Sequence, residues 1–585
     1  MSGASRGRWW LVALPVLAAL LSSCLSVPTD GPVEAGQPPS SAPSGPVEIE
    51  PEPPAAGASP QLVVEGFLHA MADYRTEYSV AREYLSEDVR DQWRPEQAVL
   101  VYGEASPVGN GTSVVLDAPL VGVVGPDGAY THSDSRYRID FEMEQDAQGQ
   151  WRIGNPPPGL LVSQYLFERF YNGFDVFFFD PTFTTVVPDP IYVARGQQSA
   201  TTLVEALLDG PTEWLEPAVV SALPAQTQLG LSIPTTAEGV AEVSLNDAVN
   251  QLTAEQRSRM AAQVVWTLRQ LPQTTAVRFL VDGAPYVVPG QRADGTVSVD
   301  AYEHLAPVPA GLSSQLYLAR AEGVSRLVEV QGSLQPVPVE GPLGTLGRGV
   351  ASMAVAPTPG GEVAVVSEDR TRVDVAETLP GAPLTTVLSG AEGLLTPQFS
   401  RDHDLWLVER RRGSSQLHVV VDGELRPVRA PELEDSEVVA FRISPDGTRM
   451  AVVRRVDGGT ELGLALVRRG EEVGVDSYRS IPLVSATGRE LTVVQDVEWA
   501  DATTFMLLAR SDADRQSLPW LVDQDGAEMQ QVGSGGWSPD SLQVSPSPTN
   551  PRAAAVGPDG QLWLHQGDYR WPEVLSEVTA AAYPG

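Results

Sequence analysis

The feature that most restricts the fold is a repeat in the C-terminal half. From about His304 the chain reads as short apolar strands separated by polar turns. Each unit has a strand ending in a small residue, a turn, then a second apolar strand. It appears at Ser352 to Ala356 before Val363 to Val366, at Gln398 to Ser400 before Leu405 to Val408, and at Ala440 to Ser444 before Met450 to Val453. It returns at Val497 to Ala500 before Phe505 to Leu508, and at Leu542 to Ser545 before Ala553 to Val556. The closing small residues Ala356, Ser400, Ser444, Ala500 and Ser545 stand 44, 44, 56 and 45 positions apart. A unit of that size cannot bury its apolar faces alone, so neighbours must stack. A period near 40–45 with four strands per unit points to a β-propeller rather than the competing β-sandwich. The first unit supplies all four strands, the later two at Arg372 to Val375 and Thr385 to Leu388. Five units are visible, and Leu316 to Leu318 with Arg326 to Val330 add to a sixth or close the ring. The expectation for 304–585 is an all-β propeller of five or six blades.

Two α+β regions precede it. Within 60–190, Leu62, Val63, Phe67, Ala70 and Met71 recur at helical spacing behind Ser59 and Pro60, a capping pair. A second helical stretch covers Tyr78 to Leu85. Strand-like runs follow at Ser113 to Leu116, Leu120 to Val124, Tyr137 to Glu144 and Trp151 to Ile153, with Asp127-Gly128 as a turn. This pattern suggests a small α+β domain of the NTF2-like or cystatin kind. Within 191–303, Ser199 caps a helix carrying Leu203, Val204, Leu207 and Leu208, which Asp209-Gly210-Pro211 stops. Val240 to Leu245 alternates as a strand. Thr253 and Gln256 form a capping box ahead of Met260, Val264, Leu268 and Leu271. Val277 to Val281 is a strand that Asp282-Gly283 turns into Pro285 to Val288. Phe170 to Phe183 (FYNGFDVFFFDPTF) is the densest aromatic stretch. It reads as a buried strand or interdomain seam in preference to a docking groove, because large aromatic area is usually spent on cores.

The N-terminus carries an address. Arg6 and Arg8 precede an apolar run, Trp9 to Leu21, too short to span a bilayer comfortably and of signal-peptide length. The run ends in Leu21, Ser22 and Ser23, a cleavage motif directly before Cys24, the only cysteine of the chain. The expectation is a signal peptide over 1–23 and lipidation of the Cys24 thiol. Each buried methylene contributes about 0.8 kcal/mol, so two or three acyl chains such as palmitate hold firmly where one does not. Residues 24–59 are a Pro-rich linker with Asp30, Glu34, Glu48, Glu50 and Glu52 and no base. Such a segment lacks the apolar surface to fold. At about 3.1 Å per residue it reaches on the order of 100 Å. The expected location is the extracytoplasmic face of the cell membrane, with membrane lipid as the first partner.

Composition removes several functions. A net charge of −36 opposes binding to nucleic acid and broad adhesion to anionic headgroups. All 39 basic residues are arginine, which removes P-loops, Ser-Lys dyads and Schiff-base lysines. The one G-x-S-x-G, Gly3 to Gly7, lies in the leader. Asp402-His403-Asp404 falls where the repeat puts a β-turn. Asp512-Ala513-Asp514 and Asp523 to Gly526 lack the glutamate of a calcium loop. Glu409 to Arg412 and Glu432 to Glu437 read as solvated charge runs, the first also able to meet an acidic partner. No catalytic residue, metal ligand or cofactor is assigned and no enzyme is expected, although carboxylates this numerous leave a glycosidase-like dyad open.

Leu203 to Pro211 (LVEALLDGP), Ala262 to Leu268 (AQVVWTL) and Val277 to Gly283 (VRFLVDG) resemble the GerMN domain, an α+β fold associated with binding or assembly at cell surfaces. Ser444 to Gly447 (SPDG) resembles TolB-like and WD40-like propeller turns. With the Cys24 motif and the tether, the whole order resembles the LpqB family of actinobacterial lipoproteins. That resemblance implies a partner, the extracytoplasmic region of the MtrB sensor histidine kinase, in cell-wall and division homeostasis. Two functions follow: a binding module that tunes a kinase, or an envelope enzyme or ligand carrier acting on wall material through the propeller channel. Carboxylates or aromatics clustered in the channel favour the second; a uniformly polar or capped channel favours the first.

Overall fold

The computed structural model describes residues 51–72, 78–195, 199–309, 311–358, 361–470, 472–485, 488–567 and 569–585. The leader, Leu21 to Cys24 and most of the linker lie outside the described residues.

The helix Pro60–Ala70 starts where its cap demands. The Ser59 hydroxyl accepts the Leu62 N–H at 3.4 Å, and Pro60 occupies a first-turn position whose missing N–H costs nothing. Val63, Val64, Phe67 and Leu68 face the core. The sheet beside it is built on Ser113–Val124, a single 12-residue strand that absorbs two of the shorter expected runs. Val114, Leu116 and Ala118 are buried at strand period. Val99–Tyr102 pairs antiparallel with this strand and parallel with Leu160–Ser163. The sheet is therefore not a plain meander, since a late strand returns beside an early one. Ser163 then caps Gln164–Phe170, its hydroxyl accepting the Leu166 N–H at 3.4 Å.

In the next region Val240–Leu245 runs parallel to Ala276–Val281, with Thr296–Ser298 antiparallel beyond it. The helix Ala254–Leu268 carries the expected capping box: Thr253 Oγ1 accepts the Gln256 N–H at 3.3 Å, and Gln256 Oε1 accepts the Thr253 N–H at 2.9 Å. Met260, Val264, Leu268 and Leu271 are all buried. The helix Ser199–Asp209 begins at Ser199. One local expectation shifts. After the Asp282-Gly283 turn the ladder pairs are Ala284 and Pro285, and the Tyr286 N–H beyond them still donates to the Phe279 carbonyl at 2.9 Å.

The C-terminal part forms six four-stranded antiparallel sheets among the described residues. The second is Val350–Val355, Glu362–Ser367, Arg372–Glu377 and Thr385–Ser389, matching the first repeat read from sequence. The first sheet is composite. Gly323–Val330 and Ser333–Pro338 lie outside Tyr317–Arg320, whose inner neighbour is the C-terminal strand Ala580–Ala582, with Leu318 opposite Ala581. Joining the chain end to the first strand closes the ring.

Each pair of neighbouring sheets shares an apolar seam. Tyr317 and Val324 pack with Met353 and Val363 between the first and second, and Val366 packs with Phe399 and Leu405 between the second and third. Leu417 meets Phe441 between the third and fourth, and Leu464 meets Phe505 between the fourth and fifth. Leu508 meets Val544 between the fifth and sixth, and Ala554 and Leu562 return to Leu318 and Leu327 of the first. A fully buried Leu or Phe contributes roughly 1.5–3 kcal/mol, so these seams are what makes the sheets interdependent. The long step of 56 between Ser444 and Ala500 reflects the longer strands Arg449–Val456, Gly459–Arg468 and Gly474–Ser480 with their turns, and to a smaller extent the loop after them, pinned where Val484 bridges Glu490.

Candidate interaction site

The aromatic stretch becomes the hairpin Tyr171–Phe179 with Val186–Ala194, in register Phe178 to Val187 and Val176 to Asp189. Its open end belongs to the first domain, where Tyr171 and Phe167 stack at 4.9 Å and Tyr192 packs at 5.3 Å from Phe167. Its closed end, with Phe177, Phe178 and Phe179, lies in the core of the second. Asp180 holds the tip by accepting the N–H groups of Thr184 and Thr185, each at 2.7 Å. Alternate ends thus enter different cores, and the stretch is the seam between them.

The same hairpin touches the propeller through buried charge. In the SPDG turn, Asp446 accepts the Ser444 hydroxyl at 2.8 Å and the Thr448 N–H at 2.9 Å, and it is ion-paired with Arg449. Both partners are fully buried. Arg449 also donates to Gln524 Oε1 at 2.6 Å and to the Pro188 carbonyl of the hairpin at 3.3 Å. Burial raises the Asp446 carboxyl, but the Arg449 charge and the Thr448 contacts lower it by more, leaving it below the usual carboxylate range. Beside Pro188, Asp189 accepts the Thr212 N–H at 2.7 Å and hydroxyl at 2.9 Å. Burial still pushes Asp189 up to about 6. The Tyr192 hydroxyl bonds Asp525 of the fifth sheet's turn, and Arg401 reaches Thr185 Oγ1 at 2.8 Å and the Pro307 carbonyl at 3.2 Å.

Where the three parts meet lies a cleft of about 850 Å³, with Tyr130 and Tyr192 on one wall, Gln270 on another, and Val484 and Gly526 from the propeller. The ring's central channel is occupied. Arg442 pairs with Glu498 at 2.7 Å, and Gln543 donates to Glu498 at 2.9 Å. Burial lifts Glu498 to about 7 even beside Arg442. At the end facing the second domain, Pro309, Leu312 and Arg401 surround a remaining space of only about 50 Å³.

The sequence candidates fall as follows. Asp402-His403-Asp404 is a β-turn: the His403 N–H donates to the Ser400 carbonyl at 3.0 Å, and Asp402 and Asp404 pair with Arg469 at 2.8 and 2.6 Å. Among the described residues no three His, Cys, Asp or Glu side chains are placed to hold a metal ion. Cys24 and its motif Leu21, Ser22, Ser23 lie outside them. Sequence reading weighed Asp525 only as part of a calcium loop and overlooked Asp189, Trp214 and Arg449. The signal for Arg449 was its place three positions beyond Asp446, at a turn read as local chemistry alone.

Three family models match in series. One described as lipoprotein LpqB, N-terminal domain, covers 53–168; one described as sporulation and spore germination covers 175–287; and one described as lipoprotein LpqB beta-propeller domain covers 325–584. Lipoprotein LpqB of Cutibacterium acnes is 31% identical, over 97% of this chain and 98% of its own. The chain belongs to the LpqB lipoprotein family. Other LpqB proteins run equally far along it: that of Streptomyces avermitilis is 29% identical over 97% of each chain, and that of Thermobifida fusca 28% over 98% of each. The seam residues lie between and within the LpqB domains, so the family's domain order is here joined by buried contacts as well as by the chain. Among the described residues, no helix is long and apolar enough to cross a membrane.

Proposed function

We propose that this chain is a binding and regulatory module, anchored by acylated Cys24 at the extracytoplasmic face of the cell membrane, that tunes a two-component sensor histidine kinase of the MtrB type. The observation that carries the reading is the near full-length relationship to LpqB lipoproteins, together with a single cysteine set directly behind a cleavage motif. An anchor and a tether raise the effective concentration of the folded part around other membrane proteins. The Arg442–Glu498 pair and the narrowed end beside Leu312 favour a surface that binds over a channel that turns over wall material.

Crosslinking in cells tests this. Wild type is expected to recover a sensor-kinase ectodomain, and Cys24→Ala is expected to lose it. Equal recovery from both, or turnover of wall fragments by the purified chain, contradicts the reading.

A further inference from the structure

The two ends of the ring differ. The inner strands finish at the narrowed end beside the second domain. They begin at an opposite mouth that holds about 820 Å³, within the roughly 300–1,000 Å³ typical of ligand sites. Its floor is Ala351, Ser352, Thr396, Ser541 and Gln543. Around the rim stand the exposed carboxylates of Glu322, Asp540, Asp559 and Glu577.

The local cations do not neutralise that rim. Arg320 is committed to Glu577 at 2.9 Å, and Arg370 donates to the Leu394 carbonyl at 3.0 Å. Glu322, Asp540 and Asp559 have no ion pair among the described residues. A second feature is independent of charge. Ser352 is 5% exposed and lines this cavity, and its hydroxyl has no hydrogen-bond partner among the described residues. A buried polar group left so is unfavourable, and a ligand's polar atom relieves that penalty.

We propose that this mouth binds a positively charged peptide segment of a partner protein. A cationic side chain sits among Glu322, Asp540 and Asp559, and a peptide polar atom engages the Ser352 hydroxyl. The proposal deepens the binding reading above and rests on it, by naming the chemistry of the partner.

The test uses the full-length chain in neutral detergent and fluorescence anisotropy of a labelled, capped decapeptide of alternating Gly and Arg. The same peptide with Gln for Arg is the neutral probe. Because the whole chain is acidic, Asp540→Asn/Asp559→Asn is compared with Glu87→Gln/Asp88→Asn, which removes the same charge from the first domain. The expected result is at least tenfold weaker binding for the rim pair, unchanged binding for the distant pair, and a severalfold loss in Ser352→Val with an unchanged melting temperature. Equal losses in the two pairs, equal binding of the neutral peptide, or no binding at all overturns the mouth as the site. Each of those leaves kinase recovery by crosslinking untouched, so failure here is separable from failure of the broader reading.

Discussion

The indole N–H of Trp214 donates to the Ser477 carbonyl at 2.8 Å while the Arg479 guanidinium lies 3.8 Å from the centre of its ring. Trp214 belongs to the loop after Ser199–Asp209, and Ser477 and Arg479 to the outer strand Gly474–Ser480 of the fourth sheet. Trp214 packs against the core of the second domain and against the seam between the fourth and fifth sheets. One side chain therefore belongs to both bodies. Trp214→Ala is expected to cost roughly 3 kcal/mol and to separate their unfolding into two transitions by calorimetry. Trp214→Phe keeps most of the packing and loses the N–H, for about 1 kcal/mol. One unaltered transition in the alanine variant would mean the contact does not couple them.

Arg449 offers a second test of the seam. Arg449→Met leaves Asp446 charged and buried without its cation, expected to cost about 3–5 kcal/mol in urea denaturation. Adding Asp446→Asn removes the stranded charge, so the double variant is expected to be the more stable of the two. The reverse order would show that the pair acts through something other than mutual neutralisation.

Stability should fall as pH rises from mildly acid to mildly alkaline. Burial, with Asp525, Glu528 and Asp501 nearby, lifts Asp523 to about 8, and burial lifts Asp175 to about 7. Each folded carboxyl keeps a proton that the unfolded chain releases near pH 4. Its contribution is complete below that pH and is lost as pH rises through the folded value. Asp446, shifted the other way, loses its contribution only in acid, below this window. Denaturation midpoints at pH 5.5, 7.0 and 8.5 are expected to decline, and Asp523→Asn to flatten the decline. An unchanged slope in that variant counts against the assignment.

Much of the fold is legible in the residues because it is local or periodic. The Ser59 cap, the Thr253–Gln256 box and the repeat anchors each depend on side chains a few positions apart or on a fixed period. What escaped depends on distance along the chain. Ala580–Ala582 joins the first sheet across more than 250 positions, and nothing in the tripeptide announces it. Leu160–Ser163 returns to lie parallel to Val99–Tyr102, and no local signal in either segment pairs the two. The aromatic hairpin is recognisable as a seam by its burial demand, but its partners Arg449 and Asp525 come from a strand start and a turn far along the chain. A polar residue on a loop looks the same in sequence whether it meets water or another domain.

The central claim is that acyl chains on Cys24 hold the folded part at the membrane, which decides what it meets. Intact-mass and N-terminal peptide spectrometry of the chain purified from its native membrane tests this most directly. The account predicts a polypeptide beginning at Cys24 and carrying a diacylglyceryl mass with or without a further acyl chain. An unmodified N-terminus at any other residue contradicts it.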